Sequence, residues 1–141
     1  MSRHENRKGF DLEWVERWAR RVNDDRRLPV IGRFFNSRFA LGVDDTDYLI
    51  DVQRGKIQRI SEGLTPNDMG FEFALRAASS AWTKFSQPIP PPMFNDIWAM
   101  AHPLHRHLII EGNTFKFWQN LRALTRMLGL MRQVYNSSAR D

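Results

Sequence analysis

Leu108-Ile109-Ile110-Glu111-Gly112-Asn113 runs without a break into Thr114-Phe115-Lys116-Phe117-Trp118-Gln119-Asn120-Leu121. The first six residues carry the signature of a short buried strand that ends at a glycine turn. From Thr114 the period changes. Phe117, Leu121, Leu124, Leu128 and Met131 recur at spacings of four, three, four and three, which predicts an amphipathic helix over 114–131. Phe115 and Trp118 widen that stripe at its start. The helix therefore carries more apolar surface than a solvent-facing element needs, and it either caps a core or walls a cavity.

Working outward, residues 1–9 are expected to be a solvated tail, 10–132 a single domain, and 133–141 a second tail. Phe10, Trp14, Trp18 and Val22 recur every fourth residue, with Asp11 placed to cap, which predicts a helix over about 11–24. Leu28-Pro29-Val30-Ile31-Gly32 is expected to be an irregular connector, because Pro29 opposes a continuing helix. From Arg33 the period is two: Phe35, Phe39, Leu41 and Val43 share one strand face, and Tyr48, Ile50 and Val52 share the next. Arg54-Gly55 makes a tight hairpin into a third strand. A loop with Gly63, Pro66, Asn67 and Gly70 precedes a fourth strand at Phe71, Phe73 and Leu75. Short turns between four alternating segments predict an antiparallel meander. Ser79 or Ser80 is placed to cap a helix carrying Trp82 and Phe85, prolines 88 and 90–92 form a stiff spacer, and a short helix is expected over 93–101. A fifth strand is expected over 105–110. Helix, four strands, two short helices, strand, helix is an α+β order.

Composition narrows the function classes. A chain of 141 residues supports one core. With no cysteine, disulfides and thiolate zinc sites are excluded. The first eight residues are polar with no apolar run after them, and no apolar segment approaches the roughly 20 residues that span a bilayer. The expected location is cytoplasmic. A net charge of +5 favours polyanionic partners, such as an anionic membrane surface or the phosphates of acyl-coenzyme A. Basic residues are spread along the chain, with small groups at Arg17/Arg20/Arg21 and Arg26/Arg27. No basic block or interleaved aromatic motif marks a nucleic-acid binder, so nucleic acid is not an expected partner.

Three segments resemble the sterol-carrier-protein type-2 family of small lipid-binding domains. Tyr48-Leu49-Ile50-Asp51-Val52-Gln53-Arg54-Gly55-Lys56-Ile57 resembles the family's strand, glycine-lysine turn and strand. Phe71–Leu75 followed by Ala78-Ser79-Ser80-Ala81-Trp82 resembles its strand leading into a serine-capped helix. Leu108-Ile109-Ile110-Glu111-Gly112-Asn113 resembles its closing strand, with Asn113 where the family usually has aspartate. The resemblance covers about 33–131. It implies an α+β fold with a mixed, mainly antiparallel five-stranded sheet covered by helices, and an apolar tunnel holding sterols, fatty acids or acyl-coenzyme A.

On that reading Phe94, Trp98, Phe115, Trp118 and Leu121 line the ligand site; aromatics at helical spacing also pack ordinary cores. His105 and His107 share a strand face, with His102 and Glu111 near them, but no recognised metal-ligand spacing results. Asp44, Asp45 and Asp47 lack the glycine and glutamate of a calcium loop and are expected to be turn residues. Glu72, Asp96 and His102 sit beside aromatics, yet no nucleophile elbow, phosphate loop or acidic pair accompanies them. No catalytic residue, metal or cofactor is expected. The expectation is a binder of a hydrophobic small molecule or acyl-coenzyme A. The rival readings are a small enzyme using His102, His105 or Asp96 as acid or base, and an accessory module that docks a partner. Oligomeric state is left open.

Overall fold

Side-chain alternation fixes which face of the sheet is buried, and register fixes what meets there. The computed structural model describes residues 10–63, 70–104 and 106–139, with side chains through residue 135. The expected tail at 1–9, the loop residues Pro66 and Asn67, and His105 lie outside the described residues. Five strands, β1 (Ser37–Val43), β2 (Thr46–Gln53), β3 (Lys56–Glu62), β4 (Phe73–Ala77) and β5 (Ile109–Gly112), form one sheet in the order β3-β2-β1-β4-β5. The pairs Phe39↔Ile50, Leu41↔Tyr48, Phe39↔Phe73 and Leu41↔Leu75 place large apolar side chains together on the inner face.

The expected meander is corrected here. After β3 the chain crosses to the far side of β1, so β4 pairs with β1 in parallel while the other pairs are antiparallel. A parallel pair requires a connection longer than a hairpin, and residues 63–72 supply it. The sheet is mixed, as the family resemblance implied.

The outer face is built differently. Small residues, Ala40, Gly42 and Ala74, leave room for Arg76 to lie across the strands; a Cβ at Gly42 would sit 2.5 Å from Arg76 Cγ. Arg76 Nε reaches Asp47 Oδ1 on β2 at 3.1 Å, and Nη1 reaches Glu111 Oε1 on β5 at 3.0 Å. One guanidinium thus joins three strands. The Asp47 hydrogen bond, then its charge and Glu111, hold the Arg76 pKa above its ordinary value against the opposing effect of burial.

Seven helices among the described residues cover the inner face and its ends: α1 (Leu12–Asn23), α2 (Leu28–Ile31), α3 (Ser79–Phe85), α4 (Ile97–Met100), α5 (Thr114–Gln119), α6 (Leu121–Gly129) and α7 (Met131–Ala139). Asp11 caps α1, accepting from Trp14 N at 2.9 Å. Asn23, the last residue of α1, exchanges two 2.9 Å hydrogen bonds with the backbone of Ile57 and so pairs with the β3 edge as a strand would.

Several local expectations are revised. The connector at Leu28 is one helical turn, because Pro29 falls in its first turn, where a missing N–H leaves no bond unmade. The helix expected over 93–101 begins only at Ile97, after Asp96 accepts from Ala99 N at 2.7 Å. At α3 neither serine hydroxyl caps; Asp44 accepts from Ser79 N at 2.8 Å instead. The last strand starts at Ile109 rather than 105. The single helix expected over 114–131 is interrupted at Asn120, whose amide turns back to Lys116 O at 2.9 Å and competes with the helical backbone. It breaks again between Gly129 and Met131. Helix also continues where a tail was expected beyond 132, with Val134 buried and the Tyr135 ring 5.8 Å from Phe10.

The core is an aromatic ladder sealed by helices. Phe39 and Phe73 stack at 5.3 Å, and Phe117 of α5 closes edge-on to Phe73 at 6.0 Å. Trp18 donates to Met127 O at 2.9 Å, and Tyr48 donates to Phe10 O at 2.7 Å, so the buried polar atoms of both rings are satisfied.

Asp25 joins three helical segments. Its carboxylate accepts from Arg27 N, Leu28 N and the Arg126 guanidinium. The Arg126 hydrogen bond leads the effects that lower its pKa below 3.8, outweighing burial. Because the folded pKa is depressed, this stabilisation is present above pH 3.8 and is lost as pH falls through the lowered folded value. Asp25→Asn is expected to flatten that acid limb of a stability–pH profile. Asp25→Ala should lower stability at neutral pH by about 3 kcal/mol in urea denaturation, since it leaves a half-buried arginine without its partner. A second pair of variants tests the backbone. Gly112 has φ +86°, and a Cβ there would lie 2.8 Å from Glu72 O, so Gly112→Ala should destabilise by about 2 kcal/mol. Gly129 ends α6 with nothing nearer than 3.8 Å, so Gly129→Ala should instead stabilise by up to about 1 kcal/mol.

Candidate functional site

The face of α6 that turns away from the core forms one wall of a groove. Ala123, Leu124, Met127 and Leu128 point inward, which leaves Leu121, Thr125 and Gly129 in one outer row and Arg122 and Arg126 in the next. Arg27 and Ile31 of the α2 segment make the opposite wall. Trp118 stands at one end, and Leu130, Arg132 and Gln133 stand at the other. The groove has a volume of about 820 Å³, within the range of about 300–1,000 Å³ usual for small-molecule sites.

Its chemistry is divided. Ile31, Trp118, Leu121 and Leu130 give it apolar surface, and four arginines surround that surface. Two of the arginines are committed elsewhere. Arg126 is held by Asp25, whose hydrogen bond raises its pKa. Arg132 donates to Phe85 O at 2.8 Å and to Asn95 O at 2.7 Å, and lies 4.5 Å over the Phe85 ring. Burial lowers the Arg132 pKa, with Asp96 opposing. Arg27 and Arg122 are exposed and pair with no carboxylate among the described residues. Among the described residues the lining includes no carboxylate or imidazole, and Thr125 is its one hydroxyl. The groove thus sets an apolar strip beside exposed positive charge.

A second depression, about 620 Å³, lies on another side of the molecule among Arg76, Lys84, Phe94, Arg106, His107 and Glu111. Its charges are largely engaged: Arg76 pairs with Asp47 and Glu111, and Lys84 Nζ sits 5.1 Å over the Phe94 ring.

The five residues expected to share one ligand wall are divided between these places. Trp118 and Leu121 line the first groove, and Phe94 lines the second, 4.5 Å from the His107 ring. Trp98 packs edge-on to Trp118 at 4.8 Å, and Phe115 is 72% exposed. Where the sheet meets α5 and α6, Phe39, Phe73, Phe117, Leu124 and Leu128 have no accessible surface, so no water-sized space lies beside them. Of the residues weighed for acid–base work, Asp96 caps α4 and His102 is exposed with Nδ1 accepting from Leu104 N at 3.2 Å. Asp44 and Asp47 hold Ser79 N and Arg76, the structural roles expected of that turn. Among the described residues no three His, Asp or Glu side chains gather closely enough to hold a metal ion.

Ile31, Arg122 and Arg126 were not among the expected site residues. A signal for the arginines exists in the sequence: from Thr114 to Arg140 there is no aspartate or glutamate, while Lys116, Arg122, Arg126, Arg132 and Arg140 are all basic.

No protein-family model and no curated protein matches the chain. Solved structures do. Sterol carrier protein 2 superposes with a TM-score of 0.69 at 12% identity, over 87% of this chain and 96% of that one. TT1886 of Thermus thermophilus, a conserved hypothetical protein whose description raises sterol carrier protein as its identity, superposes at 0.67 with 14% identity, over 89% and 88%. A ubiquinone synthesis protein, UbiJ-SCP2, superposes at 0.55 with 11% identity, over 82% and 85%. The fold is that of sterol carrier protein 2.

The exposures predict a fluorescence result. Trp14, Trp18 and Trp82 are buried, whereas Trp98 and Trp118 are 57% and 43% exposed. Iodide should quench part of the native emission, and the quenchable part should disappear in the Trp98→Phe/Trp118→Phe variant. Retention of that part in the double variant would contradict the placement of these rings.

Proposed function

We propose that the protein binds an elongated hydrophobic ligand with an anionic head, such as a fatty acid or acyl-coenzyme A, in the groove between α2, α6 and the start of α7. The observation that carries this reading is the division of the groove: an apolar strip of Ile31, Trp118, Leu121 and Leu130 beside two exposed arginines without carboxylate partners among the described residues, Arg27 and Arg122. The shared fold supports it, since one structural neighbour is named a sterol carrier protein.

The magnitudes are adequate for a reversible carrier. Burying about 300 Å² of acyl chain contributes roughly 7 kcal/mol. A guanidinium–carboxylate hydrogen bond adds about 2 kcal/mol, and association costs at least about 4 kcal/mol. The balance corresponds to a Kd on the order of 100 µM. The apolar strip provides most of this affinity, and the arginines orient the ligand.

A long-chain fatty acid and its methyl ester separate the two contributions in calorimetric titration. The acid should bind about thirtyfold more tightly than the ester, and Arg122→Glu should remove most of that difference. Leu121→Asp should weaken both ligands by placing a charge against the chain. Equal affinity for acid and ester would remove the arginines from the reading. No binding of either ligand would overturn it.

A further inference from the structure

We infer that the aromatic edge formed by Trp98, Phe115 and Trp118, with the cationic helices behind it, is a docking surface for an anionic phospholipid bilayer. Phe115 is 72% exposed and Trp98 57%; Trp98 touches the 43% exposed Trp118, and Phe115 lies one helical turn before Trp118 on α5, so the three rings share one exposed edge. Indole and phenyl rings left in water beside one another mark an interaction site, and tryptophan favours the boundary between water and acyl chains.

Charge selects the bilayer as the occupant. Arg27 and Arg122 line the groove that includes Trp118, and the stretch from Thr114 to Gln133, which carries Phe115 and Trp118, contains no aspartate or glutamate. Nearby acids are already engaged: Glu72 lies 3.8 Å from Lys116, Asp25 holds Arg126, and Asp96 caps α4. Arg27 and Arg122 keep their charge outward. Two copies of this face would repel each other, whereas an anionic lipid surface attracts it at about 1 kcal/mol per basic residue. Among the described residues no helix is long and apolar enough to cross a membrane, so the contact is interfacial. Docking here would bring the Trp118 end of the groove to the lipid surface. It rests on exposure and charge rather than on occupancy of the groove, so this inference and the proposed ligand binding fail separately.

Vesicle sedimentation of the full chain tests it, using phosphatidylcholine alone and phosphatidylcholine mixed with phosphatidylglycerol. The protein should sediment with the mixed vesicles only and be released by high salt. Acyl-chain-brominated lipid should quench emission from Trp98 and Trp118, because the other three tryptophans are buried. Phe115→Ser should lower vesicle partition roughly tenfold, and Phe115→Trp should restore it; thermal melting verifies that each variant is folded. Equal binding to neutral vesicles, absence of quenching, or unchanged partition of Phe115→Ser overturns the inference. Loss of vesicle binding while fatty acid still binds in vesicle-free solution overturns docking alone. The opposite result overturns the ligand reading alone.

Discussion

The carboxylate of Asp25 is the constraint on which both the fold's helical layer and the groove depend. Its side chain is only 3% exposed, and it is satisfied by two backbone N–H groups that open α2 and by the guanidinium of Arg126 on α6. A buried carboxylate without such partners would be costly. Arg126 lies 101 residues from Asp25 in sequence, so the acid gains its full set of partners only when α2 lies against α6. That placement sets the two walls of the groove. It also draws Arg126 down toward the core, which leaves Arg27 and Arg122 as the outward cations. The Asp25–Arg126 pair therefore ties the two walls of the groove together and leaves Arg27 and Arg122 as its outward charges.

The second determinant is how the core is filled. Phe39, Phe73 and Phe117 occupy the space between sheet and helices, stacked and edge-on, with Leu124 and Leu128 closing around them. Aromatic side chains packed at interior density leave no room for an acyl chain at those positions. Surplus apolar surface of the C-terminal helices is displaced outward, to Trp118, Leu121 and the exposed rings next to them. The same helices that seal the core on one side thus present apolar surface on the other. The outer face of the sheet is built around charge instead, with Arg76 paired to both Asp47 and Glu111 across three strands.

Much of the fold was legible in local pattern. The fourth-residue spacing of Phe10, Trp14, Trp18 and Val22 marks α1, and the Arg54-Gly55 turn marks the β2–β3 hairpin, because both depend on neighbours close in sequence. The parallel pairing of β4 with β1 was not legible in alternation, since a strand's pattern does not encode which strand lies beside it. The family resemblance supplied the mixed sheet. Asn120 and Gly129 interrupt a helix whose apolar stripe continues through both, so periodicity alone overstates its length. Within the groove, Leu121 was legible as a member of the apolar stripe and Trp118 as a residue that widens it. Ile31 was not, because its segment reaches α6 through tertiary contacts, the Asp25–Arg126 ion pair and the burial of Leu28 among them, that no local pattern announces.

Photocrosslinking with a diazirine-bearing fatty acid, followed by peptide mass spectrometry, tests most directly where a ligand lies. Labels are expected on Ile31, Trp118, Leu121 and Leu130, the apolar strip of the groove. Labels concentrated on Phe39, Phe73 and Leu75, the inner face of the sheet, would contradict that placement by showing that the ligand enters the space these side chains fill.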